Sequence, residues 1–383
     1  MVSKSPVETA AVRPKSLSDQ EGATVVIGAG FLTVDVIQLC RSDWEPINRR
    51  PVYASGGTMS NILSYLSVFG WKCGILGAVG EDSLGKVVRA DLEQYGIDIA
   101  GLYRSNASST RRILHRIATE GDRLGEHRFD TTCFGCGRRF PAFPDLKPEW
   151  FDVHISRMLR QPAILLVDRA NDMTIRLAER VTSSGGTVVF EPGYLPRRRD
   201  APVRLMKYVS LLKYSEDLRD GVESVLEEVG TNAARMALRV ETRGRRGARI
   251  MRGNREIRLT TTPMVNPIDS GGAGDAFMAG LLTGIGVEGL HSLDSVDDKH
   301  LEDAVQRGQA LGALACLFYG AKGLLHEWSG DLDKIENAIE EVAAFGIPPS
   351  DFAHTSVLRG ERLSGRAPRQ GECRVCRLVG EVG

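Results

Sequence analysis

Asn266-Pro267-Ile268-Asp269-Ser270-Gly271-Gly272-Ala273-Gly274-Asp275-Ala276-Phe277 is the stretch on which the reading of this chain turns. Three glycines fall within four positions, and the apolar run Ala276–Ile285 that follows has the character of a buried helix. Such a junction gathers several backbone N–H groups without helical partners, and the positive end of a helix dipole, at one spot. It is an anion site, and the backbone around Gly272, Ala273 and Gly274 forms it. Asp275 enters the first helical turn beside it. There it could take the proton of an attacking hydroxyl while the N–H groups stabilise charge on a transferred phosphoryl. Residue chemistry alone leaves a second reading open, in which Asp275 only caps the helix.

Outward from this point, short apolar runs at 24–28, 73–79, 163–167, 187–190 and 208–212 read as buried strands. Helical segments separate several of them, among them Leu301–Tyr319, rich in small residues, and Asp331–Phe345 at the surface. Strands alternating with helices predict an α/β sandwich with a mostly parallel sheet covered on both faces. Thr110–Ile117 lacks a continuous apolar run and predicts a strand of a smaller, half-exposed sheet, such as a lid. Residues 1–22 read as a mobile leader, 23–346 as the folded domain and 347–383 as a tail rich in Arg, Gly and Ser.

Composition limits the function. Lys and Arg number 49 and Asp and Glu number 49, so no net field favours nucleic acid or an anionic membrane. No run approaches the roughly 18–20 apolar residues a membrane span needs. With no signal-like apolar region in residues 1–22 either, the expectation is a cytoplasmic chain, and seven cysteines, an odd count, argue against a secreted disulfide framework and fit a reducing compartment. Two other glycine clusters carry little. Gly28-Ala29-Gly30 follows a strand, but Thr33 stands where a dinucleotide fingerprint has its third glycine, and Gly80–Val87 imitates a phosphate loop with two carboxylates where phosphates would lie. The latter reads as a turn.

Asp269-Ser270-Gly271-Gly272-Ala273-Gly274-Asp275-Ala276-Phe277 resembles the second signature of the ribokinase-like PfkB carbohydrate kinases, close to D-T-T-G-A-G-D-A-F. Other segments agree in the same order. Gly56-Gly57-Thr58-Met59-Ser60-Asn61 is similar to the first signature, and Val79-Gly80-Glu81-Asp82-Ser83-Leu84-Gly85 to V-G-x-D-x-x-G. Gly96-Ile97-Asp98, with Thr110 downstream, resembles the segment leading into the lid, and Thr242-Arg243-Gly244-Arg245-Arg246-Gly247 the nucleotide turn. The resemblance runs from about Thr24 to about Phe345. It implies a three-layer α/β/α sandwich with a small β lid, including parts of 45–60 and 105–140, and transfer of the γ-phosphate of ATP with Mg²⁺ to a hydroxymethyl group of a sugar or nucleoside. By position, Asp35, Gly56, Gly57 and Asn61 would hold the acceptor, and Lys213, Ser215, Thr242, Gly244, Gly247 and Asp269 the nucleotide. The family's lids often pair two copies, so a homodimer through the lid is implied.

Two departures stand out. The family's N-x-x-E segment reads Ser215-Glu216-Asp217-Leu218, so that Glu216 would have to reach Mg²⁺ through water. The D-P-N segment reads Glu191-Pro192-Gly193. They keep a rival open, a catalytically silent kinase-like protein that binds nucleotide or ligand for regulation. Separately, Cys133-Phe134-Gly135-Cys136-Gly137 has the form of a zinc knuckle, and Cys373-Arg374-Val375-Cys376 could complete a tetrahedral four-thiolate site with Cys133 and Cys136. Redox pairing or incidental thiols are the alternatives there. Cys40, Cys73 and Cys316 read as core.

Overall fold

The computed structural model describes residues 25–47, 51–144, 163–230, 235–260 and 267–345. The expected leader and the tail with Cys373 and Cys376 lie outside the described residues.

Nine strands form one sheet: β1 (Val25–Ala29), β4 (Lys72–Gly80), β5 (Leu102–Ser105), β8 (Ile164–Val167), β9 (Thr187–Phe190), β10 (Leu211–Ser215), β11 (Leu238–Thr242), β12 (Ala248–Arg252) and β13 (Arg255–Thr260). Their order is β13-β12-β11-β10-β9-β8-β1-β4-β5. All pairs are parallel except those made by β12, a hairpin added at one edge. Burial on both faces makes these strands read as unbroken apolar runs, and successive residues divide between two cores. Val26 and Ile164 enter one, Ile27 and Leu165 the other.

One face carries α1 (Thr58–Val68), α2 (Ser83–Gln94), α6 (Ala273–His291), α7 (Asp298–Ala315), α8 (Gly323–Glu327) and α9 (Leu332–Phe345). The other carries α3 (Asp172–Ser183), α4 (Asp200–Met206) and α5 (Arg219–Val229). The expected strand at 208–212 begins only at Leu211, because Tyr208 and Val209 still close the turn after α4. The helix expected to Tyr319 stops at Ala315. Its small residues do what their size allows: α6 and α7 approach so closely that a Cβ on Gly280 would lie 2.8 Å from Cα of Gly308.

A second sheet, in the order β3-β2-β6-β7, is the lid: β2 (Thr33–Cys40), β3 (Val52–Gly56), β6 (Arg112–Ala118) and β7 (His127–Asp130). β2 lies outside the segments assigned to the lid from sequence. It follows β1 after a short link and carries Asp35, so the chain passes directly from the sheet into the lid across the cleft. The segment Gly80–Val87, expected as a turn, instead holds the cap and the first turn of α2. The Asp82 carboxylate accepts from the N–H of Gly85 (2.8 Å) and from the N–H (2.8 Å) and Oγ1 (2.7 Å) of Thr110, which fastens the lid's entry to the sheet.

Candidate active site

The carboxyl ends of the parallel strands converge where the order reverses around β1, the usual place for a ligand in such a sheet. Gly30 follows β1, Asp168 follows β8 and Glu191 follows β9. Gly30 is there for packing rather than dinucleotide binding, since a Cβ would come within 2.6 Å of the Asp168 carboxylate.

Over these strand ends lies the start of α6. Gly272 takes the cap position with φ +82°, a left-handed conformation that favours glycine, and a Cβ there would strike Cβ of Ala321 at 2.3 Å. The first-turn N–H groups have no helical carbonyl to bind by position. Two N–H groups of the loop are spent locally: Gly271 donates to Oδ1 of Asp269 (2.8 Å), and Ala273 makes a long bond to Ser270 O (3.4 Å). Asp275 sits in that first turn, and its Oδ2 accepts from Nδ2 of Asn61 at 2.6 Å. Burial, and next the charge of Glu191, push its pKa up to about 7.

The helix terminus divides two spaces. On one side is a cavity of about 650 Å³ lined by Ala273, Gly274, Thr242, Gly244, Gly247 and the lid residue Leu124. On the other, Asn61 and Asp275 meet near Asp35. Asp35 accepts from Oγ1 of Thr33 (3.1 Å), and burial raises its pKa. Gly56 admits it, since a Cβ on Gly56 would lie 2.5 Å from that carboxyl, and Gly57 (φ +97°) lets α1 begin against the carbonyl of Phe31. Oδ1 of Asn61 is buried and has no hydrogen-bond partner among the described residues.

Other expected residues fall elsewhere. Lys213 is buried, paired with Glu191, and donates to the carbonyl of Gly274 (3.1 Å); it braces the anion loop from below and does not line the cavity. Ser215 ends β10 in register with Thr242, a cavity residue. Asp269 requires correction, because it is wholly buried and cannot touch a nucleotide in this arrangement. Its oxygens accept from the N–H of Gly271 and of Gly320 (2.8 Å), and His115 of β6 lies 3.3 Å away. Burial alone would raise its pKa, but the His115 charge and these N–H groups outweigh that and hold it below the usual carboxylate range. Glu216 also departs from expectation: Arg246 and Arg243 already engage its carboxylate. Cys133 and Cys136 lie in the hairpin after β7, closed by the Thr132–Arg139 bridge.

The sequence reading missed three groups. The Glu191–Lys213 pair sits under the anion loop, and Oε2 of Glu191 is buried without a partner among the described residues. Asp168 holds Arg169 (2.9 Å), whose guanidinium lies over the ring of Phe31. Lys322, also buried, pairs with Asp91 of α2 and reaches Oγ of Ser55 (3.3 Å) and Ser60 (3.2 Å), the neighbours of Gly56 and Asn61. Only the first pair carried a signal: Lys213 was expected at the nucleotide, and Glu191 is the first residue of the altered D-P-N segment.

Comparison with known proteins gives the family. The profile of the pfkB family of carbohydrate kinases matches residues 25–328. This chain belongs to that family. Over 291 residues it is 26% identical to a fructokinase of Salmonella typhimurium, covering 71% of this chain and 89% of that one. It is likewise 26% identical over 287 residues to an aminoimidazole riboside kinase of Salmonella typhimurium, covering 70% and 83%. Among solved structures, a fructokinase from Vibrio cholerae bound to fructose, ADP and calcium superposes with a TM-score of 0.60 at 22% identity, over 78% of this chain and 94% of that chain. A ribokinase from Giardia lamblia does so with a TM-score of 0.64 at 17% identity, over 84% and 100%. The fold is ribokinase-like, and the chain is an ATP-dependent kinase of a small sugar or nucleoside. No helix among the described residues is long and apolar enough to cross a membrane.

Membership also makes the departure at Gly271 intelligible. Where the signature has a threonine, a Cβ in this chain would lie 2.5 Å from Cε1 of His115. The buried lid histidine fills the space that a side chain at Gly271 would need.

Proposed function

We propose that this kinase moves the γ-phosphoryl of ATP to a hydroxymethyl oxygen of a sugar or nucleoside, with Asp275 as general base. The 2.6 Å contact of Asn61 with Asp275 carries this reading, because it sets the carboxylate between the acceptor elements and the helix terminus. Asp35 and the unpartnered Oδ1 of Asn61 hold acceptor hydroxyls, with Gly56 and Gly57 permitting close approach. Asp275 takes the proton as the hydroxyl oxygen attacks. The backbone at Gly272, Ala273 and Gly274 faces the charge growing on the phosphoryl oxygens, and positioning with charge stabilisation supplies most of the rate. ATP lies in the cavity beside Thr242, Gly244 and Gly247, with Ser215 next to Thr242. Lys213 keeps Glu191 and the carbonyl of Gly274 in place.

Mg²⁺ fits Glu191 better than Glu216, since one Glu191 oxygen is buried and unpartnered among the described residues while Glu216 is taken by arginines. When bound, the ion would neutralise phosphate charge, held largely through water. We place the enzyme in the cytoplasm, and exposed Leu124 and Phe129 support pairing of two copies through the lid.

ADP release measured with ATP, Mg²⁺ and a panel of sugars and nucleosides tests the proposal. One acceptor class should give turnover and a phosphate ester. ATP binding without turnover on any acceptor would overturn it in favour of a silent, regulatory protein.

A further inference from the structure

We infer that Arg111 receives a negatively charged group of the acceptor, a carboxylate or a phosphate, so that the substrate is an acidic sugar derivative; this rests on the kinase reading above. Arg111 stands immediately before β6. Its carbonyl accepts from the N–H of Val34 at 2.9 Å, which sets it alongside β2, next to Asp35 in the chain order of that strand. Asp35 pairs with Ile113 across the lid, and strand alternation carried back from Ile113 and His115 gives Arg111 the face that Asp35 also takes. That face meets the anion loop, where His115 lies against Asp269.

A buried charge needs a counter-charge, and Arg111 has none among the described residues. It is 9% exposed. Its Nη1 donates to the carbonyls of Phe140 (3.2 Å) and Pro141, while Nε is buried without a hydrogen-bond partner among the described residues. Carbonyls satisfy an N–H but do not balance the charge. The charge that acts on Arg111 is that of Arg139, which with burial holds its pKa below the usual arginine range. Arg112 adds another cation, its Nε and Nη1 likewise buried and unpartnered among the described residues. Unpaired buried charge is costly, and a ligand that brings the opposite sign removes the cost. With Nη1 occupied, Nε and Nη2 remain, the edge that grips two oxygens of one carboxylate or phosphate.

Two aromatic rings join this cation to the acceptor's place. The Arg111 guanidinium lies over Phe143 at 5.1 Å, and Phe143 stacks on Phe31 at 3.4 Å. The carbonyl of Phe31 backs Gly57, and its N–H points at Oδ2 of Asp168, 3.4 Å away. Arg169 covers the Phe31 ring at 3.0 Å but is already paired with Asp168. Around these rings two guanidiniums share one carboxylate, which leaves a net positive wall beside Gly56, Gly57 and Asp35. A neutral hydroxyl could accept from Arg111, yet the charge would stay unbalanced.

Paired acceptors test this, each neutral sugar beside its charged derivative: ribose with ribose 1-phosphate, fructose with fructose 1-phosphate, glucose with gluconate. Turnover is measured with ATP and Mg²⁺, and binding separately by thermal shift without ATP. The charged member of a pair should be preferred in kcat/KM by about 10–100-fold. Arg111→Met should raise KM for it by a similar factor with little change in kcat, and Arg111→Lys should recover part of the loss. Should Arg111→Met fail to fold, the unmodified chain decides, because charged members should raise its Tm and neutral ones should not. Neutral members used as well as charged ones, or a preference for charge that persists in Arg111→Met, would overturn the inference and leave the kinase reading standing. So would inorganic phosphate that speeds transfer to neutral members with no gain for charged ones, since Arg111 would then hold a separate anion. No turnover on any member, with Tm raised by charged members in the unmodified chain but not in Arg111→Met, would keep the anion site and remove the kinase reading.

Discussion

A carboxyl whose pKa burial pushes up to about 7 is part-charged at neutral pH, so Asp275 can both accept a proton and release it within one cycle. The same burial works against folding. Its folded pKa lies above the ordinary 3.8, so the folded chain binds the proton more tightly than the unfolded one between those values. Stability from this residue is complete below about pH 4, falls as pH rises toward 7, and stays lost above. Asn keeps the shape and the contact to Asn61 without the charge. Asp275→Asn should therefore raise Tm at pH 8 and do so little at pH 4, as read by thermal unfolding at both. An equal shift at both pH values would show that the charge is not the cause. The place of Asp275 in the first turn of α6 was legible because the features that set it, three glycines and an apolar run, are local. The pairings of Glu191 and Asp168 were not, because they depend on Lys213 and Arg169 and on strand ends the sequence does not show meeting.

At the scale of elements, the lid strand β6 and the start of α6 fit together because His115 occupies the space a side chain at Gly271 would need. Overpacking a close-packed site costs about 1–3 kcal/mol, and Gly271→Thr should cost that much by chemical denaturation. In a His115→Ala background the penalty should shrink to near zero, a coupling that a double-mutant cycle reads directly. Equal penalties in both backgrounds would separate the two residues. The departure from D-T-T was visible in sequence, yet the neighbour it makes room for was not, since His115 lies on a strand far away in the chain. β2 escaped assignment to the lid for a related reason: it is apolar enough to pass for sheet, and only its pairing with β3 and β6 shows which sheet it joins.

Over the whole molecule, the alternation of apolar runs and helices made the layered α/β architecture legible, because burial on both faces leaves its mark on every central strand. What tied the parts together was less visible. Lys322, after α7, binds Asp91 on α2 and the serines flanking Gly56 and Asn61, so one buried ammonium joins the loop behind the anion site to the acceptor elements. Removing one partner of a buried pair costs about 3–5 kcal/mol. Lys322→Met should lose that much by denaturation, and a loss under ~1 kcal/mol would mean the pair is bathed in water. The central claim, that one carboxylate at the mouth of α6 draws the proton from the acceptor, is tested most directly by single-turnover phosphoryl transfer in Asp275→Asn beside ATP affinity measured in the same variant. The account predicts a rate lower by about 10²–10⁴-fold with ATP bound as tightly as before; transfer at the unmodified rate would contradict it.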